Sequence, residues 1–314
     1  MAIDITTNIF LSALPVFFLA TGVWLMLRVL GEFDLAVDAL FTTGAGVAAL
    51  ITLHGGSPWV GLLAAALCGA AGSAIAIGLH LWLRIPVLLA TLITLTSLYS
   101  VNLHILGGST VNLLGAPSIF GSLTGSDIAE IAILAGLSIV VGCLLFFFLH
   151  TRFGLAMRAA GKNTRMSRSF GVNTRWTLLI GAMISEALAA CGGALQAQVQ
   201  GYADVNMGVG SLIIGASAIL LGELFFHRGV LGGLLGTLIG SVLYETVLVL
   251  ALRSGLPAQD LKLVTGVILV VAILLSSGVS RLRQAGRRLS RAVVSRPQVP
   301  EVVSPAEEGM REHG

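Results

Sequence analysis

The sequence predicts an all-α, polytopic membrane protein of about 8–10 transmembrane helices, one of them short or broken. Three observations predict it. The 314-residue chain is 56% hydrophobic and 11% charged, whereas a soluble domain runs to about 45–50% apolar and about 25% charged. Its mean hydropathy is +0.95. Apolar runs approaching the roughly 20 residues needed to cross a bilayer core recur along most of its length. They cover 9–30, 38–53, 59–82, 86–106, 127–150, 177–196, 208–226, 229–252 and 261–279.

Taken in order, the first run follows MAIDITTNIFLSALP, which lacks the basic stretch of a signal peptide, so it reads as a retained span. The second is too short for a full crossing and contains TTGAGVAA. It reads as a broken or partly re-entrant element inside the bundle, where irregular backbone is tolerated. The third to sixth and the last two are long enough to cross, and the seventh is preceded by the Gly/Asn-rich stretch GYADVNMGVG. That stretch fits a re-entrant loop or an external mouth. Residues 1–280 form one transmembrane domain. Within 281–314, RLRQAGRRLSRAVVSR is a basic juxtamembrane segment suited to anionic headgroups. The Pro/Glu/Val-rich remainder is expected to be disordered and cytoplasmic.

Charge placement sets the expected orientation. If the 151–176 loop is cytoplasmic and the spans alternate, only Arg253 and Lys262 of the 18 basic residues lie outside, leaving 16 inside. The N-terminus is then external and the C-terminus cytoplasmic. Basic residues confined to loops and tail mark topology rather than nucleic-acid binding. Cys68, Cys143 and Cys191 stand singly in apolar runs and predict neither disulfide nor metal site.

Acids within apolar runs are costly, about 2.5–3.5 kcal/mol each near the bilayer centre, and call for a reason. Glu223 is expected to pair with Arg228. Glu186 and Glu245 fit interhelical hydrogen bonding or solute contact. Asp34 and Asp38 share one face if helical, and either line a path or fix the start of a helix. Tyr99, Asn102 and Asn206 complete the candidate path. Gly232, Gly236 and Gly240, spaced by four, form a small-residue stripe for close helix packing, within the chain or between copies.

The densest signal is RAAGKNTRMSRSFGVNTR (158–175), where no acid lies between Glu130 and Glu186. Gly161, Asn163 and Gly171 divide it into two short helical pieces. Arg158, Lys162 and Arg165 are spaced to share a face, flanked by Met157, Met166 and Phe170, with Arg168 beyond. Topology alone needs fewer charges, so the segment reads as a docking surface for another protein. AAGKNT lacks the spacing of a phosphate-binding P-loop. No nucleophile or metal motif is evident, so the chain itself is not expected to be an enzyme.

Four stretches together carry a family resemblance: FDLAVDALFTTGAGVAA (33–49), IPVLLATLITLTSLYSVNLHILGG (85–108), FGLAMRAAGKNTRMSRSFGVNTR (153–175) and GYADVNMGVGSLIIGASAILLGE (201–223). They resemble the permease subunits of bacterial ABC importers of the branched-chain amino acid/ribose class, closest to the tryptophan/tyrosine-type permeases. The resemblance implies a type II importer-like bundle in the inner membrane, paired with a second permease copy. It also implies separate ATPase subunits that bind the ATP and magnesium, an extracytoplasmic binding protein or lipoprotein, and an amino acid or similar small solute. Residues 153–175 become the segment that seats in the ATPase. Two positions depart from the family pattern: Lys162 replaces a usual acid and Glu186 a usual neutral amide. The rival expectation is a gradient-driven secondary transporter coupled through Asp34, Asp38 or Glu186.

Overall fold

The computed structural model describes residues 2–121, 127–226, 229–257 and 260–276. Helix α1 (Ala2–Trp24) runs directly into a π-helical turn, Leu25–Leu30, ended by Gly31 at φ 77°. There follow α2 (Ala36–Leu53), α3 (Pro58–Leu83), α4 (Val87–Leu106) and α5 (Asp127–His150). The short helices α6 (Arg152–Lys162) and α7 (Thr164–Ser169) precede α8 (Thr174–Gln200). Helices α9 (Ser211–Glu223), α10 (Gly229–Arg253) and α11 (Leu261–Ser276) complete the described chain.

Among the described residues, seven helices are long and apolar enough to cross a membrane, and α9 and α11 are shorter apolar helices. The long spans thus number seven against the 8–10 expected, because the seventh and ninth apolar runs form the shorter helices α9 and α11. The stretch 281–314 lies outside the described residues.

Helix α1 occupies the middle of the bundle, packed by α5, α8, α9 and α10. Of its most apolar stretch 83% is buried within the protein, against 22% for α4 and 17% for α5. The last two therefore present most of their apolar surface outward. The core around α1 and the following turn is built from Leu19, Val23, Trp24, Met26 and Leu30, with Val37, Phe41, Ile77, Leu149 and Met157.

Backbone-to-backbone approach holds the centre together. A Cβ on Gly44 would meet the Ala190 carbonyl oxygen, and one on Gly193 the Phe41 carbonyl oxygen. Gly69 of α3 lies in the same way against the Glu186 carbonyl. Small residues let α2 and α3 close on α8 with no side chain between them, which is how helices gain contact where lipid is as apolar as Leu.

Two expectations change. The second span is short but unbroken, a continuous helix of 18 residues. Thr52 donates within the helix to the Ala48 carbonyl, and the Thr43 hydroxyl lies within reach of both the Ala39 carbonyl and Asn102 of α4. The glycines of this span serve contact with α8 rather than a break. The seventh run is helical only over 13 residues. Ahead of it, β2 (Tyr202–Asp204) pairs antiparallel with β1 (Thr110–Asn112), a small ribbon that the sequence did not signal.

Candidate functional site

The basic segment forms two helices that meet at Asn163. Thr151 caps α6 by accepting the Gly154 N–H at 3.2 Å, and Asn163 caps α7 by accepting that of Met166 at 3.0 Å. Gly171, at φ 78°, turns the chain out of α7, and Asn173 caps α8 through the N–H groups of Arg175 and Trp176. Each cap satisfies donors that a helix start leaves open. The break at Asn163 puts Arg165 on a different helix from Arg158 and Lys162, so the three do not continue one helical face. Met157 is fully buried and belongs to the core, while Met166 and Phe170 are exposed beside Lys162, Arg165 and Arg168. Arg168 donates to the Thr174 hydroxyl at 2.9 Å, closing the loop after α7.

Gly161 joins this segment to the core. A Cβ there would collide with the Val29 carbonyl oxygen and lie 3.0 Å from the Leu30 carbonyl. The backbone of α6 therefore rests directly on the π-turn that ends α1. Arg28 of that turn donates to Glu223, the last residue of α9, at 2.5 Å. The partner expected from the sequence, Arg228, lies outside the described residues. The π-turn carries Arg28 to the end of α9 across 195 positions of sequence.

The other end of α9 is held by α2. Asp38 accepts from the Gly210 N–H at 2.9 Å, the Ser211 hydroxyl at 2.8 Å and the Leu212 N–H at 2.9 Å. Thr42 accepts from the Gly208 N–H at 3.0 Å. A carboxylate at a helix N-terminus meets both open donors and the positive end of the helix dipole. Among the described residues, α9 has no cap from its own side chains at this end; α2 supplies one.

Asp38 and Thr42 also border a cavity of about 460 Å³, together with Ala39, Leu95, Thr96, Tyr99, Asn102, Val205 and Val209. The cavity brings together three of the candidate path residues, Asp38, Tyr99 and Asn102. Two of these are engaged inside the protein. Asn102 accepts from the Thr43 hydroxyl at 2.8 Å and donates to the Ala39 carbonyl at 3.0 Å, tying α4 to α2. Asn206 is exposed next to the lining residue Val205, its N–H turned to Asp204 at 2.7 Å.

Asp34 is elsewhere. It sits in the connection between the first two spans and starts α2 by accepting the Ala36 N–H at 2.7 Å. Its carboxyl faces Glu186, and among the described residues no donor reaches Oδ2 of Asp34 or Oε2 of Glu186. Of the two roles open to Asp34, the structure shows the helix start. Gly236 and Gly240 pack within the chain: Gly240 lies on the Ala218 carbonyl and Gly222 on that of Gly236, joining α9 to α10. Gly232 is half-buried, and its neighbour Gly233 faces the Trp24 ring. Residue spacing shows neither the remote cap by Asp38 nor the π-turn; TTGAGVAA and GVGSL were the nearest signals.

A bundle of long apolar helices with an open cavity and an exposed basic elbow fits the class of multi-pass permeases. Residues 5–274 match the family described as the permease component of branched-chain amino acid transport systems, and the chain belongs to it. It is 32% identical over 253 residues to the tyrosine transport system permease protein of Clostridioides difficile, covering 80% of this chain and 84% of that one. It is 28% identical over 314 residues to the autoinducer 2 import system permease protein LsrC of Escherichia coli, covering 99% and 90%. The fold resembles PsaBC from Streptococcus pneumoniae, solved in complex with Fab, with a TM-score of 0.53 at 13% identity over 84% of this chain and 89% of that one. The chain is thus the permease subunit of an ABC importer, a transmembrane subunit that is not itself catalytic and whose family works with ATPase and binding-protein partners.

Proposed function

We propose that this permease imports a small polar solute, an amino acid or a related compound, driven by a separate ATPase that seats on α6 and α7. The observation that carries the reading is the direct backbone contact of Gly161 with the turn ending α1, beside exposed Lys162, Arg165, Arg168, Met166 and Phe170. A basic, partly apolar surface braced against the central helix is suited to receive force from a partner. The partner binds ATP and magnesium. A second copy of the chain completes the pathway, and an extracytoplasmic binding protein delivers the solute. Coupling then runs between two sites, so the permease needs only weak contacts with its cargo. The cavity agrees: its volume falls in the range of small-molecule sites, about 300–1,000 Å³, and its Asp38 and Asn102 already bond within the protein.

In this reading α6, α7 and the C-terminus lie on the cytoplasmic side of the inner membrane and the N-terminus outside, which the distribution of basic residues supports. The tyrosine and autoinducer 2 relatives differ in cargo, which leaves the class as a small polar solute. Gentle purification of the tagged protein tests the reading. Recovery of a Walker-motif ATPase, with nucleotide-dependent uptake in vesicles, supports it. Gradient-driven uptake by the lone chain, through the facing carboxyls of Asp34 and Glu186, overturns it.

A further inference from the structure

We propose that α9 is the rod that carries movement of the ATPase-facing elbow to the cavity, with Arg28 and Glu223 as the positioning pair at its driven end. This rests on the docking role given above to α6 and α7. Contacts run without interruption from one site to the other. The backbone of α6 at Gly161 bears on the carbonyl groups of Val29 and Leu30. Those residues belong to the π-turn, an irregular turn of a kind that recurs at functional sites. Arg28 of the same turn holds Glu223 at 2.5 Å.

Helix α9 has 13 residues, so at about 1.5 Å per residue it spans roughly 20 Å. Its far end is fixed to Asp38 by three hydrogen bonds and to Thr42 through Gly208. Both residues border the cavity. A helix pinned at its two ends, by groups belonging to two different neighbours, moves those neighbours together. Its third attachment, the Gly222–Gly236 and Gly240–Ala218 approach, makes α10 part of the same moving piece.

The ion pair is the informative place to cut. Its side chains are 48% and 21% exposed, and exposed pairs add little to fold stability. A purely structural pair would therefore be nearly silent when removed, whereas a positioning pair would change coupling. Spatial continuity alone does not establish coupling, and a double-variant cycle does.

The test uses the whole permease–ATPase complex in vesicles, with the three native cysteines changed to Ser and Thr96→Cys placed in the cavity wall. The readout is the rate of labelling by a membrane-impermeant maleimide, with and without ATP and vanadate. Wild-type pairing is expected to give a nucleotide-dependent change in rate. Arg28→Glu and Glu223→Arg are each expected to shrink that change about five-fold or more while ATP hydrolysis and the amount of complex persist. The charge-swapped double variant is expected to restore it. Single variants that respond like wild type, or a swap that restores nothing, overturn the proposal. A wild-type complex that holds no ATPase overturns the docking reading instead.

Discussion

Asp38 accepts the Ser211 hydroxyl at 2.8 Å across 173 positions of sequence, so one carboxylate of α2 both starts α9 and walls the cavity. Asp38→Ala leaves the N–H groups of Gly210 and Leu212 without their acceptor. The expected loss is about 2–4 kcal/mol, combining a lost cap with unpaired buried donors. Asp38→Asn keeps Oδ1 for Ser211 and Leu212 and is expected to cost about 1 kcal/mol. Thermal unfolding in detergent distinguishes the two variants.

Gly161 tests the elbow. Gly161→Ala inserts a methyl group where the Val29 carbonyl lies. It is expected to push α6 outward, with a cost of about 1–3 kcal/mol typical of overpacking. Gly171→Ala, with open space around it and φ 78°, strains only the backbone, at about 1 kcal/mol. ATP-driven uptake should fall sharply in the first variant and little in the second.

Charge reversal on α7 addresses docking. Arg165→Glu and Arg168→Glu together are expected to lower co-purification of the ATPase about ten-fold with a small fall in melting temperature, because both side chains are exposed and the only bond lost among those described is Arg168 to Thr174. Arg158→Glu is expected to destabilise the permease as well, since Arg158 is half-buried and its Nε is enclosed. Undiminished ATPase recovery from the α7 double variant would reduce the charges to topology markers.

Asp34 can be tested through its buried neighbour. Asp34→Asn still accepts the Ala36 N–H and removes one of two facing carboxyls whose outer oxygens have no donor among the described residues. The variant is expected to melt above wild type in detergent, because burying an unpaired carboxyl is costly. A lower melting temperature would show that Asp34 needs its carboxyl.

The seven long spans among the described residues were legible because long apolar runs reflect the length and hydropathy that crossing a bilayer requires. The division of 158–175 was legible because Asn163 and Gly171 are local punctuation. Partners far apart in sequence were not legible. Glu223 has Arg228 five residues away, and nothing in the spacing favours Arg28 over it. Asp38 sits in a helical run whose pattern shows which face it occupies but not that α9 starts there. The β1–β2 ribbon escaped notice because two strands of three residues are too short for an alternating pattern to register. Asn102 stands out by its setting among apolar neighbours, but its spacing does not show that it bonds to α2.

The burial of α1 has a consequence for biosynthesis. This segment leaves the ribosome well before α8, α9 and α10, the helices that enclose it. During translation its inward face must rest against lipid or an insertion chaperone. The heart of the assembly is therefore sealed late, and a nascent chain arrested before α8 cannot complete it.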